Sequence, residues 1–261
     1  MWDADLQLAM QLADLADQIS LSYFRATNLI VDKKADDSDV SLADREVEMA
    51  LRKHLASARP QDAIVGEEFG TGDVISTRRW VLDPVDGTTR YLRGIPLFAS
   101  LIALEQNGDS VLGVASAPAL KRRWWAARGL GAFADGRPIR VSAISKIGEA
   151  HLSLGNPGNW LACGQYERLG LLAERAGSTT GYGDFWPHML VAEGAAEAAL
   201  EPSAALWDLA PLKVIVEEAG GRFTDFTGVS TAAGRSAISS NNVVHDELVQ
   251  LLKDGPDYGY K

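Results

Sequence analysis

The chain has 261 residues, 46% of them hydrophobic, and its 35 acidic against 25 basic side chains give a formal net charge of −10. This length and apolar content support one large α/β unit or two halves sharing a core. The acidic balance argues against general binding to nucleic acid or to an anionic membrane surface. The single cysteine, Cys163, excludes an internal disulfide, and four histidines without a Cys/His spacing pattern leave little material for a zinc site. A reducing, cytoplasmic setting is expected. Met1-Trp2-Asp3-Ala4-Asp5 is acidic where a secretory signal is basic, and no apolar run of about 18 residues could span a bilayer.

Residues 6–24 place Leu6, Met10, Ala13, Ala16, Ile19 and Tyr23 about one helical turn apart, the pattern of an amphipathic helix. Leu29-Ile30-Val31 leads into a polar loop over 33–39. Residues 41–54 return to helical spacing, with Ser41 as N-cap and Asp44 in the first turn. Short apolar runs at 63–65, 79–82, 99–104 and 111–115, each bounded by Gly, Pro, Asn or Asp, predict strands. Hairpins are expected over 121–141, where Trp124-Trp125-Ala126-Ala127 and Gly131-Ala132-Phe133 precede the turn signal Asp135-Gly136. Further on, a strand at 151–154, helices at 166–176 and 186–193, and strands at 196–200 and 221–224 alternate in α/β fashion. A helix over 208–219, stopped by Gly220-Gly221, completes the pattern. No repeat or Pro-rich linker interrupts it, so two intimately packed halves are expected, residues 1–145 and 146–261.

Glu67 and Glu68 directly follow a short apolar strand and Gly66, so two carboxylates project from a strand end, where they repel unless a cation or partner intervenes. Taken alone, the pair reads as an ordinary solvated loop. Trp80-Val81-Leu82-Asp83-Pro84-Val85-Asp86-Gly87-Thr88-Thr89 says more: a buried strand ends in a carboxylate, a Pro-fixed turn, a second carboxylate, then glycine and two hydroxyls. Asp83 and Asp86 can face one pocket and suit Mg²⁺, which prefers oxygen ligands, with the Val85 carbonyl as a further donor. Gly87, Thr88 and Thr89 would then turn amides toward a phosphate. The competing reading, a helix merely capped by Asp86, leaves Glu67, Glu68 and the buried approach of Asp83 unexplained. Outside this context Asp208 reads as a helix N-cap and Lys33 as a surface lysine.

In content and order these segments resemble the inositol monophosphatase superfamily of Mg²⁺-dependent, lithium-sensitive phosphatases. The likeness spans nearly the whole chain: Lys33 with Val40-Ser41-Leu42-Ala43-Asp44, Gly66-Glu67-Glu68, the run from Trp80 to Thr89, Arg128-Gly129-Leu130-Gly131-Ala132-Phe133, and Trp207-Asp208-Leu209-Ala210 followed by Glu218-Ala219-Gly220-Gly221. The resemblance implies the layered αβαβα sandwich of the inositol monophosphatase and fructose-1,6-bisphosphatase type. It implies two or three Mg²⁺ per site: Glu67, Asp83 and the Val85 carbonyl on one, Asp83, Asp86 and Asp208 on another, and Glu67 on a weaker third. It further implies that Thr88, oriented by Asp44, positions the attacking water, that the Gly87 and Thr88 amides grip the phosphate, and that Lys33 balances the anionic pocket. Neither a phosphoenzyme nor a histidine base is required. A homodimer or higher homo-oligomer acting on a small phosphorylated metabolite is the assembly it suggests.

Substrate choice falls to the second half. Asp184, within Gly181-Tyr182-Gly183-Asp184-Phe185-Trp186, adds a carboxylate where inositol enzymes have a small or uncharged residue, which favours a leaving group bearing a cation. Glu201 matches a position that contacts substrate hydroxyls. Residues 116–129 and 182–185 resemble the histidinol-phosphatase branch, whose substrate has an ammonium and an imidazole that could pair with Asp184 and Glu201 and stack on Trp186. The alternative for Asp184 is a helix cap. Arg90, where many relatives have asparagine, is expected to face solvent, and His188 to be a satisfied core residue. The competing functions are an inositol-1-monophosphatase or other sugar-phosphate phosphatase, and a catalytically silent protein that binds a phosphorylated metabolite. A 3′-phosphoadenosine phosphatase would want a more basic pocket.

Overall fold

The structure, a computed structural model, describes residues 2–26, 30–33 and 39–254. The chain opens with α1 (Asp3–Tyr23), the short strands β1 (Val31–Lys33) and β2 (Asp39–Ser41), and α2 (Leu42–Ala58). Next come β3 (Ala63–Gly66), β4 (Gly70–Thr71), β5 (Arg78–Asp86), the single turn α3 (Thr88–Leu92), β6 (Ala99–Gln106) and β7 (Asp109–Ala117). The hairpin strands β8 (Arg122–Ala127), β9 (Gly131–Ala134) and β10 (Arg137–Pro138) follow. Beyond them lie β11 (His151–Ser153), α4 (Pro157–Ala162), α5 (Tyr166–Arg175), β12 (Ser178–Thr180), α6 (Phe185–Ala192) and β13 (Ala198–Glu201). The last elements are α7 (Leu206–Glu218), β14 (Arg222–Thr224), β15 (Ala237–Ser240) and α8 (His245–Asp254). Residues 34–38 of the expected polar loop, and Leu29 before it, lie outside the described residues. Among the described residues no helix is long and apolar enough to cross a membrane.

An eight-stranded sheet runs in the order β10-β9-β8-β7-β6-β5-β3-β4, and a five-stranded sheet in the order β12-β11-β13-β15-β14. Helices α1 and α2 bury Leu12, Val47 and Leu51 against Trp80, Leu104 and Leu112 on one face of the large sheet. Helices α6 and α7 cover its other face, where Met189 and Ile215 meet Leu101 and Trp124, and they share Ala199, Phe223 and Ala237 with the small sheet. The outer face of the small sheet, through Leu152, Leu200 and Ile238, carries α4, α5 and α8. These five layers are the expected αβαβα sandwich. Because β5 is covered on both faces, its sequence is a continuous apolar run rather than an alternation: Trp80 and Leu82 enter one core and Val81 the other.

Two local features set the site. The β5–β6 register slips between Asp83 and Asp86, and this bulge accommodates Pro84, which has no N–H for the ladder. The Pro84 carbonyl instead accepts the Ser100 hydroxyl at 2.7 Å. Gly113 in β7 lets α7 press onto the sheet, since a Cβ there would strike the Pro211 carbonyl and the Val214 side chain. That seating brings the first turn of α7 to the end of β5.

His245, fully buried at the start of α8, ties β14 to β15. The Thr224 hydroxyl donates to the Asp225 carbonyl (2.7 Å), so it accepts from His245 Nε2–H (2.9 Å). Ser240 Oγ lies 2.7 Å from Nδ1, which is left as acceptor of a neutral ring. Burial lowers this pKa from the usual 6.5 to about 4. The unfolded chain therefore binds the proton first as pH falls, and the stability that depends on a neutral His245 is full above 6.5 and lost toward pH 4. Between pH 7.5 and 5 the loss should be about 2 kcal/mol at roughly 1.4 kcal/mol per pH unit. Urea unfolding of His245→Gln should show a pH decline shallower by about that amount; parallel declines would remove His245 as the cause.

Candidate active site

The end of β5 supplies the first two carboxylates. Asp83 is 1% exposed and its Oδ1 accepts the Val85 N–H at 3.0 Å, while Asp86 accepts the Phe185 N–H at 2.7 Å. Gly87, at φ +83°, makes the left-handed turn into α3, and a Cβ there would press on the Leu97 carbonyl. Asp208 arrives from the first turn of α7, where it accepts the Ala205 N–H at 2.8 Å. Its N-terminal capping role and its place in the cluster are thus compatible. Oxygens of Asp83, Asp86 and Asp208 lie within 4.8 Å of one another. Glu67 joins them from the loop after β3: it hydrogen-bonds Asp83, and its charge acts on both Asp83 and Asp86.

Burial, the largest cause, pushes the carboxyls of Asp83 and Asp86 well above their ordinary range. The charges of Glu67, Asp86 and Asp208 add to this at Asp83, and those of Asp208 and Glu67 at Asp86, with the Phe185 N–H pulling the other way. Desolvated, mutually repelling carboxylates of this kind are stabilised by a cation, and a donor set made wholly of oxygen fits a hard divalent ion.

Thr88 opens α3 beside this cluster. Its hydroxyl is 3.0 Å from the Val85 carbonyl and 3.2 Å from Asp44 Oδ1. Asp44, fully buried in the first turn of α2, is locked through Oδ2 by the Ser41 N–H (2.8 Å) and hydroxyl (2.6 Å). One Asp44 oxygen is therefore spent on the helix start and the other faces Thr88. Burial raises the Asp44 pKa, with the two Ser41 bonds opposing.

A cavity of about 510 Å³ opens from here, lined by Glu67, Gly87, Thr88, Arg90, Asp184 and Glu201 among others. Glu201 ends β13 and is 7% exposed; burial pushes its carboxyl up to about 8, against the opposing pull of Arg90. Gly155, at φ +60°, makes room for it, as a Cβ there would fall 2.8 Å from a Glu201 oxygen. Asp184 precedes α6 but makes no side-chain cap, so the capping alternative gives way to an ion pair with Arg90. Arg90 is accordingly not turned to solvent: the turn at Gly87 directs α3 along the cavity wall, and the acidic wall of the second half draws the guanidinium inward.

Other predicted residues lie further off. Trp186, expected as a stacking face, does not line this cavity: half-buried, it packs against the core on Trp124 (5.9 Å between ring centroids) and Phe185. His188 is buried with Nδ1 2.6 Å from the Ser239 hydroxyl and a pKa lowered by burial to about 4, a neutral core residue as expected. The Glu68 N–H donates to Glu48 at 2.7 Å. Lys33, exposed on β1, pairs at 2.7 Å with Asp39, itself on the cavity wall. The sequence reading misses Glu48, and it misses Asn156 and Asn159 on the cavity wall. The signal for the asparagines is Asn156-Pro157, an N-cap followed by proline at the first helical position, and Asn156 Oδ1 does accept the Gly158 N–H at 2.9 Å.

With this geometry in place, the model of the inositol monophosphatase family matches residues 1–256. The chain belongs to that family. Its members are metal-dependent phosphatases, and this chain is accordingly a phosphoric monoester hydrolase. A histidinol-phosphatase of Mycobacterium tuberculosis is 46% identical over 256 residues, covering 96% of this chain and 98% of that protein. One from Streptomyces coelicolor is 42% identical, covering 95% and 96%. Among solved structures, the extragenic suppressor protein suhB from Bartonella henselae superposes with a TM-score of 0.89 at 31% identity, covering 97% of this chain and all of that one.

Proposed function

We propose that this enzyme hydrolyses L-histidinol phosphate to L-histidinol and phosphate with Mg²⁺ as its metal. One observation carries the substrate: beyond the metal-type carboxylates and Asp39, which pairs with Lys33, the cavity wall holds Asp184 and Glu201, and among the described residues the cation that acts on both is Arg90, with Arg93 also lining the cavity. A substrate ammonium supplies the second positive charge and favours the ionised form of Glu201. A neutral polyol gives neither. The relatives named as histidinol-phosphatases at 46% and 42% identity support the same choice.

In this reading Glu67, Asp83 and the Val85 carbonyl hold one Mg²⁺, Asp83, Asp86 and Asp208 a second, and Glu67 contributes to a weaker third. Bound there, the ions acidify water, neutralise the transferring phosphoryl group and stabilise the leaving alkoxide. Thr88 Oγ orients the attacking water, and Asp44 Oδ1 accepts the Thr88 proton, with Oδ2 fixed by Ser41. The Gly87 and Thr88 amides hold phosphate oxygens while the burial of Asp83 and Asp86 excludes bulk water. Displacement is in line and needs no covalent intermediate. Residues 1–145, with most metal ligands, and 146–261, with Asp184, Glu201 and Asp208, act as one catalytic unit; a homodimer belongs to the same reading and rests on the resemblance.

Phosphate release from L-histidinol phosphate and from inositol 1-phosphate, compared at saturating Mg²⁺, tests the choice. The expected kcat/KM for the former is larger by on the order of 100-fold, about 2.7 kcal/mol of discrimination. Preference for inositol 1-phosphate would overturn it.

A further inference from the structure

We propose that Glu48 is a positioning residue that fixes the Glu67 loop for metal binding, and that α2 thereby holds both the water-orienting and the metal-binding sides of the site in one register. The inference rests on the reading of Glu67 as a metal ligand. Asp44, Glu48 and Arg52 recur every four residues and so form one stripe along α2. Asp44 reaches Thr88. One turn on, Glu48 is fully buried, and its carboxylate accepts the N–H groups of Glu68 (2.7 Å) and Phe69 (3.2 Å). Arg52 donates to the same carboxylate through Nε at 2.7 Å, reaches the Gly70 carbonyl, and places its guanidinium 6.0 Å from the centre of the Phe69 ring.

The loop is thus held on both sides. The Glu67 N–H donates to the Leu82 carbonyl at 3.2 Å, next to Asp83, and the two residues after Glu67 hang on Glu48. Gly66 is part of the same device, because a Cβ there would overlap the Glu48 carboxylate. A buried ion pair with Arg52 would satisfy the charge of Glu48 without either amide bond. The aim of the carboxylate at two consecutive N–H groups beside Glu67 is what makes its role positional.

The test is Glu48→Gln, which keeps the shape but offers one acceptor oxygen where the loop and Arg52 use two. Titrating the substrate-free protein with Mg²⁺ in a calorimeter should show affinity reduced by about 10- to 100-fold, the usual cost of losing an outer-shell support. The KM for substrate at saturating Mg²⁺ should stay within about twofold. A folded variant with unaltered Mg²⁺ affinity would overturn the proposal. Amide exchange in the unaltered protein provides an arm that requires no variant: Glu68 and Phe69 should be as protected as β3, and rapid exchange at both would overturn it even if Glu48→Gln does not fold. Absence of Mg²⁺ binding by the unaltered protein would instead refute the metal reading of Glu67, with the exchange result still judging the loop support.

Discussion

Asp83→Asn should reduce phosphate release by on the order of 10³-fold or more, at least about 4 kcal/mol of transition-state stabilisation, while the protein stays folded. Asp83 stands where the Glu67 loop, the β5 turn and α7 converge, so its charge is shared by the first two metal positions proposed above. Its replacement removes a ligand without removing the local scaffold, since an asparagine oxygen still accepts the Val85 N–H that Asp83 holds at 3.0 Å. Burial and three neighbouring acids already disfavour the ionised form of Asp83, so in the metal-free protein the neutral amide should be tolerated or even stabilising. Circular dichroism should be unchanged. Thermal unfolding with and without Mg²⁺ is the sharper measurement: the rise in Tm that Mg²⁺ gives the unaltered protein should disappear in Asp83→Asn. A variant that unfolds without Mg²⁺ would mean that Asp83 serves the fold, and a variant that remains active would remove it from the metal site.

The contrast between what the sequence discloses here and what it hides follows from range. The strand leading to Asp83 and the helix carrying Asp44 are legible because each is specified locally, by a doubly buried apolar run, a Pro-fixed bulge and a Ser41 start. Short elements without an apolar pattern are not: β12 is Ser-Thr-Thr, β15 is half polar, and α4 opens on Pro-Gly, which reads as a turn. Residues 237–254, holding β15 and α8, carry no prediction. The meeting of Asp208 with Asp83 joins positions 125 residues apart (208 − 83) and comes from the family resemblance, whereas no spacing rule supplies it. Glu48 is hidden for another reason. A glutamate one turn after Asp44 looks like a solvated helix face, since carboxylates are seldom fully buried, and only the loop that packs over α2 converts it to an interior group. Arg90 is hidden by both, because its direction depends on the Gly87 turn and on charges from the second half.

That inward Arg90 changes what to expect of Asp184→Asn. Considered as a lone carboxylate at the cavity wall, Asp184 would contribute one ion pair to a substrate ammonium. In the structure it also holds Arg90, whose guanidinium nitrogen would lie 3.6 Å from a Cβ on Gly183, with a Glu201 oxygen 3.1 Å from the same point. Released from Asp184, Arg90 still has Glu201 and Asp86 as acidic neighbours, and pairing with Glu201 would withdraw the second carboxylate from the substrate as well. The KM for histidinol phosphate should therefore rise by about 10- to 100-fold, the 1.4–2.7 kcal/mol expected for loss of a partly desolvated charge pair. A neutral phosphate ester should change by no more than about twofold, since its leaving group makes no demand on either acid. The double variant Asp184→Asn with Arg90→Gln separates the two contributions. If Arg90 blocks Glu201, removing it recovers part of the lost KM, and the two substitutions are non-additive. Equal losses for the charged and neutral esters would point elsewhere, to the turn itself: Asp184 holds φ +60°, unusual for a residue with a side chain, and its neighbour Phe185 donates the amide that restrains Asp86.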